Sequence, residues 1–362
     1  MKLHTIFIGS KFVYNRSLKE YILRQIEKEN DFVHSVTYFT ESDNSLFLYL
    51  QNELHQESKI IIIGHKSNFA TIGKLLCTVT GDNQVLKEGM LIPQKASLFE
   101  EASYLLEYKS SIVNVIQIDE GQKMPQLLMQ KSVVKATIHV FEEDEQSVKS
   151  ILTPIAQTYE VSFTSTKLVE GWIRLDIESN RYGEISNFIA AAKKLLSNRL
   201  IASANIMLYI IDRLEKNAKK LSFAESCTGG LLSYFLTKEN GASKILDGSL
   251  VTYSNALKEN WLAVSHEILQ QEGAVSSTCV REMSEGVINV SSADYAIAVS
   301  GIAGDTGGTA EKPVGTVYIS VRSATISKEE HLFFFGDRNY IQQQSALYAI
   351  KMLLLIDKET FF

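Results

Sequence analysis

Apolar and polar positions in the first third of the chain alternate between strand and helix patterns. Apolar runs predict strands at 3–8, 33–39 and 60–63, and apolar residues at helical spacing lie between them. The four consecutive isoleucines of the third run are typical of a strand that is buried on both faces. Because strands and helices alternate and turns follow the strands, residues 1–130 are predicted to form an α/β domain with a mostly parallel sheet.

The third of these strands ends at Gly64, which allows two interpretations. A turn at the carboxyl end of a parallel strand can face a ligand, but no glycine-rich phosphate motif follows Gly64. We therefore interpret Gly64 as a structural turn, with a ligand-facing turn as the alternative.

Residues 131–203 have a different pattern, which predicts a small α+β module. Three strands and two helices are expected in the order β-α-β-β-α, over residues 134–141, 146–157, 160–166, 172–177 and 185–200. Modules of this shape often bind RNA, but this one has neither a GxxG clamp nor a basic strand rich in aromatic residues. We interpret it as a spacer or a dimerisation unit.

Residues 204–362 return to the alternation of an α/β domain, so the whole chain is predicted to be a multi-domain α/β protein. Helices are expected at 205–219, 228–237, 257–262, 267–271, 279–290 and 339–356. Strands are expected at 221–226, 248–254, 293–300, 316–322 and 331–335. The domain boundaries predicted in this way are 1–130, 131–203 and 204–362.

Composition and charge narrow the classes of function. The 362 residues are 45% hydrophobic and carry a formal net charge of −6, which argues against broad binding to nucleic acids or anionic membranes, and we expect neither partner. The three cysteines, Cys77, Cys227 and Cys279, form no CxxC pair, as in a reducing compartment without disulfide bonds or zinc. With no signal-peptide pattern and no apolar run of ~18 residues, we expect a cytoplasmic protein.

The sequence LSFAESCTGG, at 221–230, is the first candidate for chemistry. It predicts a strand, a tight turn and a helix, with Ser226 and Thr228 at the turn. The first N–H groups of a helix have no partner within the helix, so the turn is expected to offer them to an anion. The alternative is that Ser226 or Thr228 only caps the helix.

Two further polar clusters follow other predicted strands, where open α/β sheets gather their sites. The candidate substrate contacts in the three clusters are Thr228, Gly229, Gly230, Ser254, Asn255, Ser300, Gly301, Gly304, Gly308 and Thr309. The loop at 301–315 is glycine-rich, so its backbone N–H groups can surround a phosphate or an oxyanion. A flexible surface connection is the alternative interpretation of that loop.

A serine nucleophile needs a base. Lys258 lies about one helical turn beyond the strand end at 253–255, and burial would lower its pKa towards neutrality. The histidines of this domain, His266 and His331, lie outside the three clusters, although a Ser-His-Asp triad is defined by geometry rather than spacing and stays an alternative. A solvated surface lysine is the other alternative for Lys258.

Five motifs in the last domain together resemble the C-terminal domain of the CinA family: AESCTGG, VTYSNALKENW, EGAVS, SGIAG with GGTAEKPVGTVYIS, and GDR. The resemblance implies a nicotinamide mononucleotide deamidase with a Ser/Lys mechanism and no cofactor. It implies that Ser226 is the nucleophile, that Lys258 is the general base and that Tyr253 supports them. It further implies that Arg338 contacts the phosphate or the developing charge, that the glycine-rich loops hold the nucleotide, and that the protein is a homodimer.

The chain departs from the family pattern at two places in this domain. Asp305 and Thr306 follow GIAG where the family usually has proline, and Gln342 stands where the family commonly has a second arginine. One positive charge near the expected phosphate site is therefore missing. The Ser226–Lys258 pair is intact, and we expect activity.

The resemblance is fainter over the first 200 residues. It implies a molybdopterin-binding-like first domain and a KH-like middle domain. Family members carry IGTELL-like and GGLGPT-x-DD motifs in the first domain, where this chain reads IGSKFVYN and GHKSNFATIGK. Because a metal that bridges phosphates needs carboxylate oxygens, we expect this domain to keep its fold, to lack a divalent metal and to have lost its catalysis.

Three alternatives to the deamidase stay open. The first is a non-enzymatic nucleotide-binding or regulatory protein, although retention of both Ser226 and Lys258 argues against it. The second is an ADP-ribose pyrophosphatase in the first domain, which requires a metal site that its motifs no longer supply. The third is a thiol mechanism, in which Cys227→Ala would be inactive and Ser226→Ala would not.

Overall fold

A computed structural model of the chain describes residues 2–30, 33–129, 135–179, 182–291, 293–304 and 306–362. The chain is mixed α/β with several sheets. It forms two compact units, Met1–Val134 and Lys135–Phe362. None of the helices in the described ranges is long and apolar enough to cross a lipid bilayer.

The first unit is built on a six-stranded sheet in the order β2-β1-β3-β8-β7-β6. The strands of this sheet are β1 (Lys2–Ile8), β2 (Val33–Phe39), β3 (Ser58–Gly64), β6 (Ala96–Glu100), β7 (Ser103–Tyr108) and β8 (Ser111–Gln117). Two further strands, β4 (Gln84–Lys87) and β5 (Met90–Pro93), form a separate two-stranded sheet. The helices of the unit are α1 (Ser10–Tyr14), α2 (Arg16–Glu29), α3 (Leu46–Glu53) and α4 (Lys66–Thr80). The strands β2, β1, β3 and β8 are parallel, as predicted. The antiparallel strands β6 and β7 were not predicted, and the short turns that join β6, β7 and β8 leave no length for a crossover helix.

The isoleucine run lies at the centre of this sheet and separates two hydrophobic cores. All seven residues of β3 are buried, and side chains alternate between the two faces of a strand. Ile60 and Ile62 pack into the core that includes α4 residues, while Ile61 and Ile63 pack into the core that includes α2 residues. The prediction that both faces of this strand are buried is confirmed.

Gly64 ends β3 in a tightly packed position. A methyl group added there would overlap the side chains of Ile72 and Asn68 on α4. Asn68 in turn donates a hydrogen bond from Nδ2 to the carbonyl of Ile8 at the end of β1, at 2.8 Å. These contacts favour the interpretation of Gly64 as a structural turn.

Two hydrogen-bonded pairs occupy the carboxyl ends of the parallel strands in the first unit. Ser10 donates from its backbone N–H and its hydroxyl to the Glu41 carboxylate, at 3.0 and 3.1 Å. His65 Nδ1 lies 3.0 Å from Asp119 Oδ1, and the His65 ring stacks on Phe12 with 4.1 Å between ring centroids. Sequence reasoning did not single out either carboxylate.

The second unit begins with the α+β module. Its elements are β9 (Lys135–Phe141), α5 (Glu145–Thr158), β10 (Val161–Val169), β11 (Trp172–Ser179), α6 (Ile185–Leu196) and β12 (Leu200–Ala202). The β-α-β-β-α order is confirmed, and β12 adds an edge strand to the antiparallel sheet β10-β11-β9-β12. The last helix ends at Leu196 rather than at residue 200, because Ser197 has a positive φ and Leu200 pairs with Val140. The predicted start of β9 at Val134 lies outside the described residues.

The rest of the second unit is a five-stranded sheet in the order β14-β13-β15-β16-β17. Its strands are β13 (Leu221–Glu225), β14 (Leu246–Val251), β15 (Tyr295–Gly301), β16 (Thr316–Arg322) and β17 (Ser327–Phe333). Its helices are α7 (Ile206–Lys216), α8 (Leu231–Thr237), α9 (Asn255–Leu262), α10 (His266–Gln271), α11 (Ser277–Ser291), α12 (Arg338–Ile356) and α13 (Lys358–Phe361). The first three strands are parallel, and β16 and β17 are antiparallel additions.

The last strand was predicted at 331–335 but runs from Ser327 to Phe333. Its first residues are polar, so they have no apolar pattern to reveal a strand. They become a strand because a hairpin turn, closed by the Ser323 N–H to Ile326 carbonyl bond of 2.8 Å, pairs them with β16.

The α+β module and the five-stranded sheet share one hydrophobic core. Phe141, Val169 and Trp172 of the module belong to the same buried cluster as residues of α7, α12 and β13. Lys351 on α12 also donates from Nζ to the carbonyl of Glu170, at 2.9 Å. The module is therefore packed onto the sheet that carries the candidate site.

Candidate active site

The candidate site lies at the carboxyl ends of the parallel strands β13, β14 and β15. Ser226 follows β13, and its backbone N–H donates to the carbonyl of Val299 on β15 at 3.0 Å. The N–H of Thr252, which follows β14, donates to the carbonyl of Glu225 at 2.9 Å. These two bonds fix the ends of the three strands against one another, as expected for the site of an open α/β sheet.

Ser226 and Lys258 are in contact inside this site. Lys258 Nζ lies 3.1 Å from Ser226 Oγ. It also donates to the backbone carbonyls of Thr252, at 2.8 Å, and of Tyr253, at 3.3 Å. Ser226 is 8% exposed and Lys258 is 1% exposed, so the pair is almost completely removed from water.

Burial lowers the pKa of the Lys258 ammonium below its ordinary value, because the charged form loses its hydration. No carboxylate forms an ion pair with Lys258 in the described ranges. The lysine is thus held by neutral oxygens, and no ion pair offsets the lost hydration of its charged form.

Helix α9 brings Lys258 to the serine. Ser254 caps this helix by accepting a hydrogen bond from the Leu257 N–H at 3.3 Å, and Ala263, with a positive φ, ends it. At its end the helix touches α11 so closely that a methyl group at Gly286 would overlap the carbonyl of Leu262. The position of Lys258 therefore depends on a glycine far from it in sequence.

Replacing Gly286 with alanine is expected to destabilise the protein by about 1–3 kcal/mol, because α9 and α11 must separate. Within an exposed helix the same change would stabilise by about 1 kcal/mol. The sign of the change in the free energy of unfolding therefore shows whether Gly286 is packed against α9. Urea unfolding measures the difference, and Val290→Ala, on the exposed face of α11, is the control. A Gly286→Ala protein as stable as wild type would contradict this helix contact.

Glu225 removes most of the expected free N–H groups at the start of α8. Its buried carboxylate accepts hydrogen bonds from the N–H groups of Gly230, Leu232 and Ser233, each at 3.0 Å. The expectation that these groups are unpartnered is therefore wrong. Neither Ser226 nor Thr228 caps the helix, whose preceding residue is Gly230 and makes no side-chain cap.

Two N–H groups in the turn remain available. Ser226 N–H donates to Val299, Gly229 N–H donates to the Ser226 carbonyl at 3.1 Å, and Gly230 N–H is taken by Glu225. Among the described residues, the N–H of Thr228 has no acceptor and the N–H of Cys227 has none outside its own residue. The Thr228 hydroxyl is also buried without a partner in the described part of the chain. The turn thus offers donors directly beside the serine.

The other predicted site residues near β14 are more exposed than Ser226 and Lys258. The Tyr253 side chain is 63% exposed, and only its backbone carbonyl touches Lys258. Ser254 is used as the cap of α9, and Asn255 is the exposed first residue of that helix. Ser254 and Asn255 therefore lie at the rim of the site rather than beside the Ser226–Lys258 contact.

The end of β15 and the loop that follows it are held by several hydrogen bonds, two of them to the segment 272–274. Ser300 is buried and donates from Oγ to the Ala274 carbonyl at 2.7 Å. The Thr309 N–H donates to the Lys312 carbonyl at 2.9 Å, and Lys312 Nζ donates to the Glu272 carbonyl at 2.6 Å. Asp305, where the sequence departs from the family motif, lies outside the described residues. These contacts argue against a loose surface connection.

The glycines of this loop are tightly packed where they meet other elements. A methyl group at Gly301 would meet the Thr316 carbonyl, and one at Gly308 would meet the Val314 backbone. One at Gly304 would overlap the guanidinium of Arg338, the first residue of α12. The Arg338 guanidinium therefore lies in the space that a side chain at position 304 would occupy.

Comparison with known proteins places the chain in a family. The family model of the CinA C-terminal domain matches residues 203–356. A CinA-like protein of Pseudothermotoga lettingae is 37% identical over 218 residues, which are 59% of this chain and 54% of that protein. A putative competence-damage inducible protein of Thermoanaerobacter sp. (strain X514) is 29% identical over 96% of this chain and 78% of its own length. The chain belongs to the CinA family.

Solved structures of CinA proteins match part of the chain. The competence/damage inducible protein CihA from Agrobacterium tumefaciens is 35% identical, over 42% of this chain and 95% of its own, with a TM-score of 0.41. This chain spans about half the length of several curated CinA-like relatives that it matches. Ser226, Lys258 and Arg338 all lie in the segment that matches the CinA domain.

Within the CinA domain, the cysteine next to the serine is poorly suited to a thiol mechanism. Burial raises the pKa of the Cys227 thiol to about 12, and the thiolate rather than the thiol is the nucleophile. Cys227 is therefore protonated at neutral pH.

The histidines of the CinA domain are engaged elsewhere. His266 Nδ1 lies 3.0 Å from Glu259 Oε1, and the His331 ring stacks on Tyr318 with 4.4 Å between centroids. Neither histidine hydrogen-bonds to Ser226 in the part of the chain that the structure describes. The Ser-His-Asp alternative therefore has no support from the geometry.

Sequence reasoning missed the contact that Gln342 makes in the CinA domain. Its Nε2 donates to the carbonyl of Cys227 at 2.7 Å, which links α12 to the turn that carries Ser226. The available signal was spacing, because Gln342 lies one helical turn after Arg338 and so on the same face of α12. Sequence reasoning considered Gln342 only as a lost positive charge.

Proposed function

We propose that this CinA-family chain is an amidohydrolase that converts nicotinamide mononucleotide to nicotinate mononucleotide and ammonia, in pyridine nucleotide salvage. The observation that carries the proposal is the buried contact of 3.1 Å between Ser226 Oγ and Lys258 Nζ. The motif resemblance to CinA deamidases selects the substrate, and the contact supplies a nucleophile with its base.

The environment of Lys258 suits a neutral base. An uncharged amine has two N–H bonds and one lone pair, and the two carbonyls of Thr252 and Tyr253 accept the two N–H groups. The lone pair is then directed at the hydroxyl of Ser226. In this state Lys258 accepts the serine proton while Ser226 Oγ attacks the amide carbon of the substrate.

Attack places a negative charge on the amide oxygen, which needs hydrogen-bond donors. The N–H groups of Cys227 and Thr228 are adjacent to the nucleophile and can stabilise that charge. Lys258 then returns the proton to the leaving nitrogen, which departs as ammonia and leaves an ester on Ser226. Water attacks the ester, Lys258 takes its proton, and the carboxylate product leaves as Ser226 is restored.

Arg338 is the candidate contact for the substrate phosphate. Its exposed side chain begins α12, and the absent side chain of Gly304 leaves the space in which its guanidinium lies. An arginine in this position can make paired hydrogen bonds to phosphate oxygens. The anion is then held near a helix start, where it also meets the favourable end of the helix dipole.

Replacing Gly304 with alanine is expected to raise KM for nicotinamide mononucleotide by about 10–100-fold and to change kcat little, because the displaced Arg338 loses charge-assisted hydrogen bonds to phosphate. Steady-state kinetics measures both constants. Arg338→Ala should give the same pattern, and nicotinamide riboside, which lacks the phosphate, should be insensitive to both changes. Equal losses on the two substrates would contradict a phosphate contact.

The proposed function is tested by identifying products. Wild-type protein is incubated with nicotinamide mononucleotide, and ammonia and nicotinate mononucleotide are quantified; we expect them in equal amounts. ADP-ribose with a divalent metal is the second substrate in the panel. Absence of turnover by folded protein would overturn the deamidase, and metal-stimulated hydrolysis of ADP-ribose would point to the first unit instead.

A further inference from the structure

The peptide between Cys227 and Thr228 is held from one side only. Its carbonyl oxygen accepts the hydrogen bond from Gln342 Nε2 at 2.7 Å. Its N–H, on Thr228, has no acceptor in the described ranges. In a planar trans peptide the C=O and N–H bonds point in opposite directions. The N–H therefore points away from Gln342 and α12.

Three other N–H groups of the turn already have hydrogen-bond acceptors. The Ser226 N–H is bonded to β15, the Gly229 N–H closes the turn, and the Gly230 N–H is bonded to Glu225. Gln342 is half-buried and contacts the peptide from a different helix. A donor on α12 thus holds a peptide whose C=O and N–H groups form no hydrogen bond with the turn itself, among the described residues.

We propose that Gln342 is a positioning residue for the reaction: it fixes the Cys227–Thr228 peptide so that the Thr228 N–H faces the oxygen of the substrate amide. This inference rests on the proposed function, because it assigns the donor for the oxyanion of that reaction. Gln342 acts through the peptide and has no need to touch the substrate. Its amide is required as a donor, since a carbonyl oxygen can only accept.

Gln342 could instead contact the substrate phosphate, and this role and the positioning role have different effects on the kinetics. A phosphate contact binds the ground state and the transition state alike, so its loss raises KM. A misdirected oxyanion donor weakens only the transition state, so its loss lowers kcat. The two roles therefore separate in steady-state kinetics.

The test compares Gln342→Met with Gln342→Arg in the full chain. Gln342→Met keeps the length of the side chain without the donor, and we expect kcat to fall about 10–100-fold, while KM changes less than about threefold. Gln342→Arg retains N–H donors, so its loss of kcat should be about tenfold smaller. Gln343→Met, at the exposed neighbouring position on α12, is the matched control with wild-type rates.

A second readout does not depend on the physiological substrate. A fluorophosphonate reacts with an activated serine: the Ser226 oxygen bonds to phosphorus, fluoride leaves, and Lys258 takes the serine proton. Peptide mass spectrometry measures the rate at which Ser226 is labelled. We expect labelling of Gln342→Met to be at least about tenfold slower than labelling of wild type, at an unchanged Tm, because the phosphoryl oxygen uses the same donor.

The outcomes separate this inference from the proposed function. If wild type is labelled at Ser226 but does not hydrolyse nicotinamide mononucleotide, the proposed substrate fails, and the comparison of labelling rates still decides the role of Gln342. Equal labelling and equal kcat for wild type and Gln342→Met would overturn the inference. A raised KM at unchanged kcat would also overturn it, in favour of a binding contact.

Discussion

Ser226→Ala should release ammonia from nicotinamide mononucleotide on the order of 10⁴-fold more slowly than wild type, because it removes the nucleophile that the base Lys258 activates. The serine hydroxyl is the atom in contact with Lys258 Nζ. Steady-state ammonia release at saturating substrate measures the loss. Thermal unfolding should show the same Tm as wild type, since the substitution removes one oxygen from a residue at the end of a strand.

The neighbouring residue provides the matched control. Cys227→Ala removes a thiol whose pKa is raised to about 12 by burial, and we expect it to retain at least about a third of wild-type kcat, since a protonated thiol takes no part in the attack. The reverse result, an inactive Cys227→Ala and an active Ser226→Ala, would show that the thiol is the nucleophile.

Lys258→Met is expected to lower kcat on the order of 10³-fold, the usual scale for loss of a general base. Methionine has a similar length and no lone pair that accepts a proton at neutral pH. The double variant Ser226→Ala with Lys258→Met should be no slower than Ser226→Ala alone, because the two residues act as one unit. An additive loss in the double variant would contradict a shared function.

The pH dependence of kcat in the wild-type protein also tests the role of Lys258 as the base. Lys258 accepts a proton only when it is neutral, so kcat should rise with pH through the pKa of Lys258. Since burial lowers that pKa, the rise should occur below the ordinary range of a lysine side chain. Lys258→Met should lose this rise in its residual activity. A wild-type rate that falls as pH increases over this range would contradict the role as base.

Local features of the sequence singled out Ser226 and Lys258 as candidates, and the resemblance to the CinA family assigned their roles. Ser226 directly follows β13, and Lys258 lies on the first turn of α9, the helix that follows β14. Adjacent parallel strands end at the same edge of a sheet, so both residues had to lie near one another. The contact between their side chains follows from that topology and from the length of lysine.

Contacts between elements distant in sequence could not be predicted in this way. Glu225 precedes the turn and accepts bonds from α8, although a strand-end glutamate has no sequence signal for that role. Gln342 reaches Cys227 across 115 positions of sequence. The strand β17 starts at polar Ser327 because it pairs with β16, not because of its own pattern. Each of these three features depends on contacts between different secondary-structure elements.

In the first unit, too, local structure could be predicted and contacts between distant segments could not. Its parallel strands followed from apolar runs, and β3 is buried on both faces as predicted. The pairing of Ser10 with Glu41 and of His65 with Asp119 joins loops that follow different strands. The motif comparison located the lost carboxylates of the family pattern but gave no indication of the carboxylates that this chain places at the same edge of the sheet.

The most direct test of the central claim is the rate of ammonia release from nicotinamide mononucleotide by wild type, Ser226→Ala and Lys258→Met, measured side by side at one substrate concentration. The account predicts turnover by wild type and its loss in both variants, each folded by thermal unfolding. Turnover that survives in either variant, or a folded wild-type protein that releases no ammonia, would contradict it.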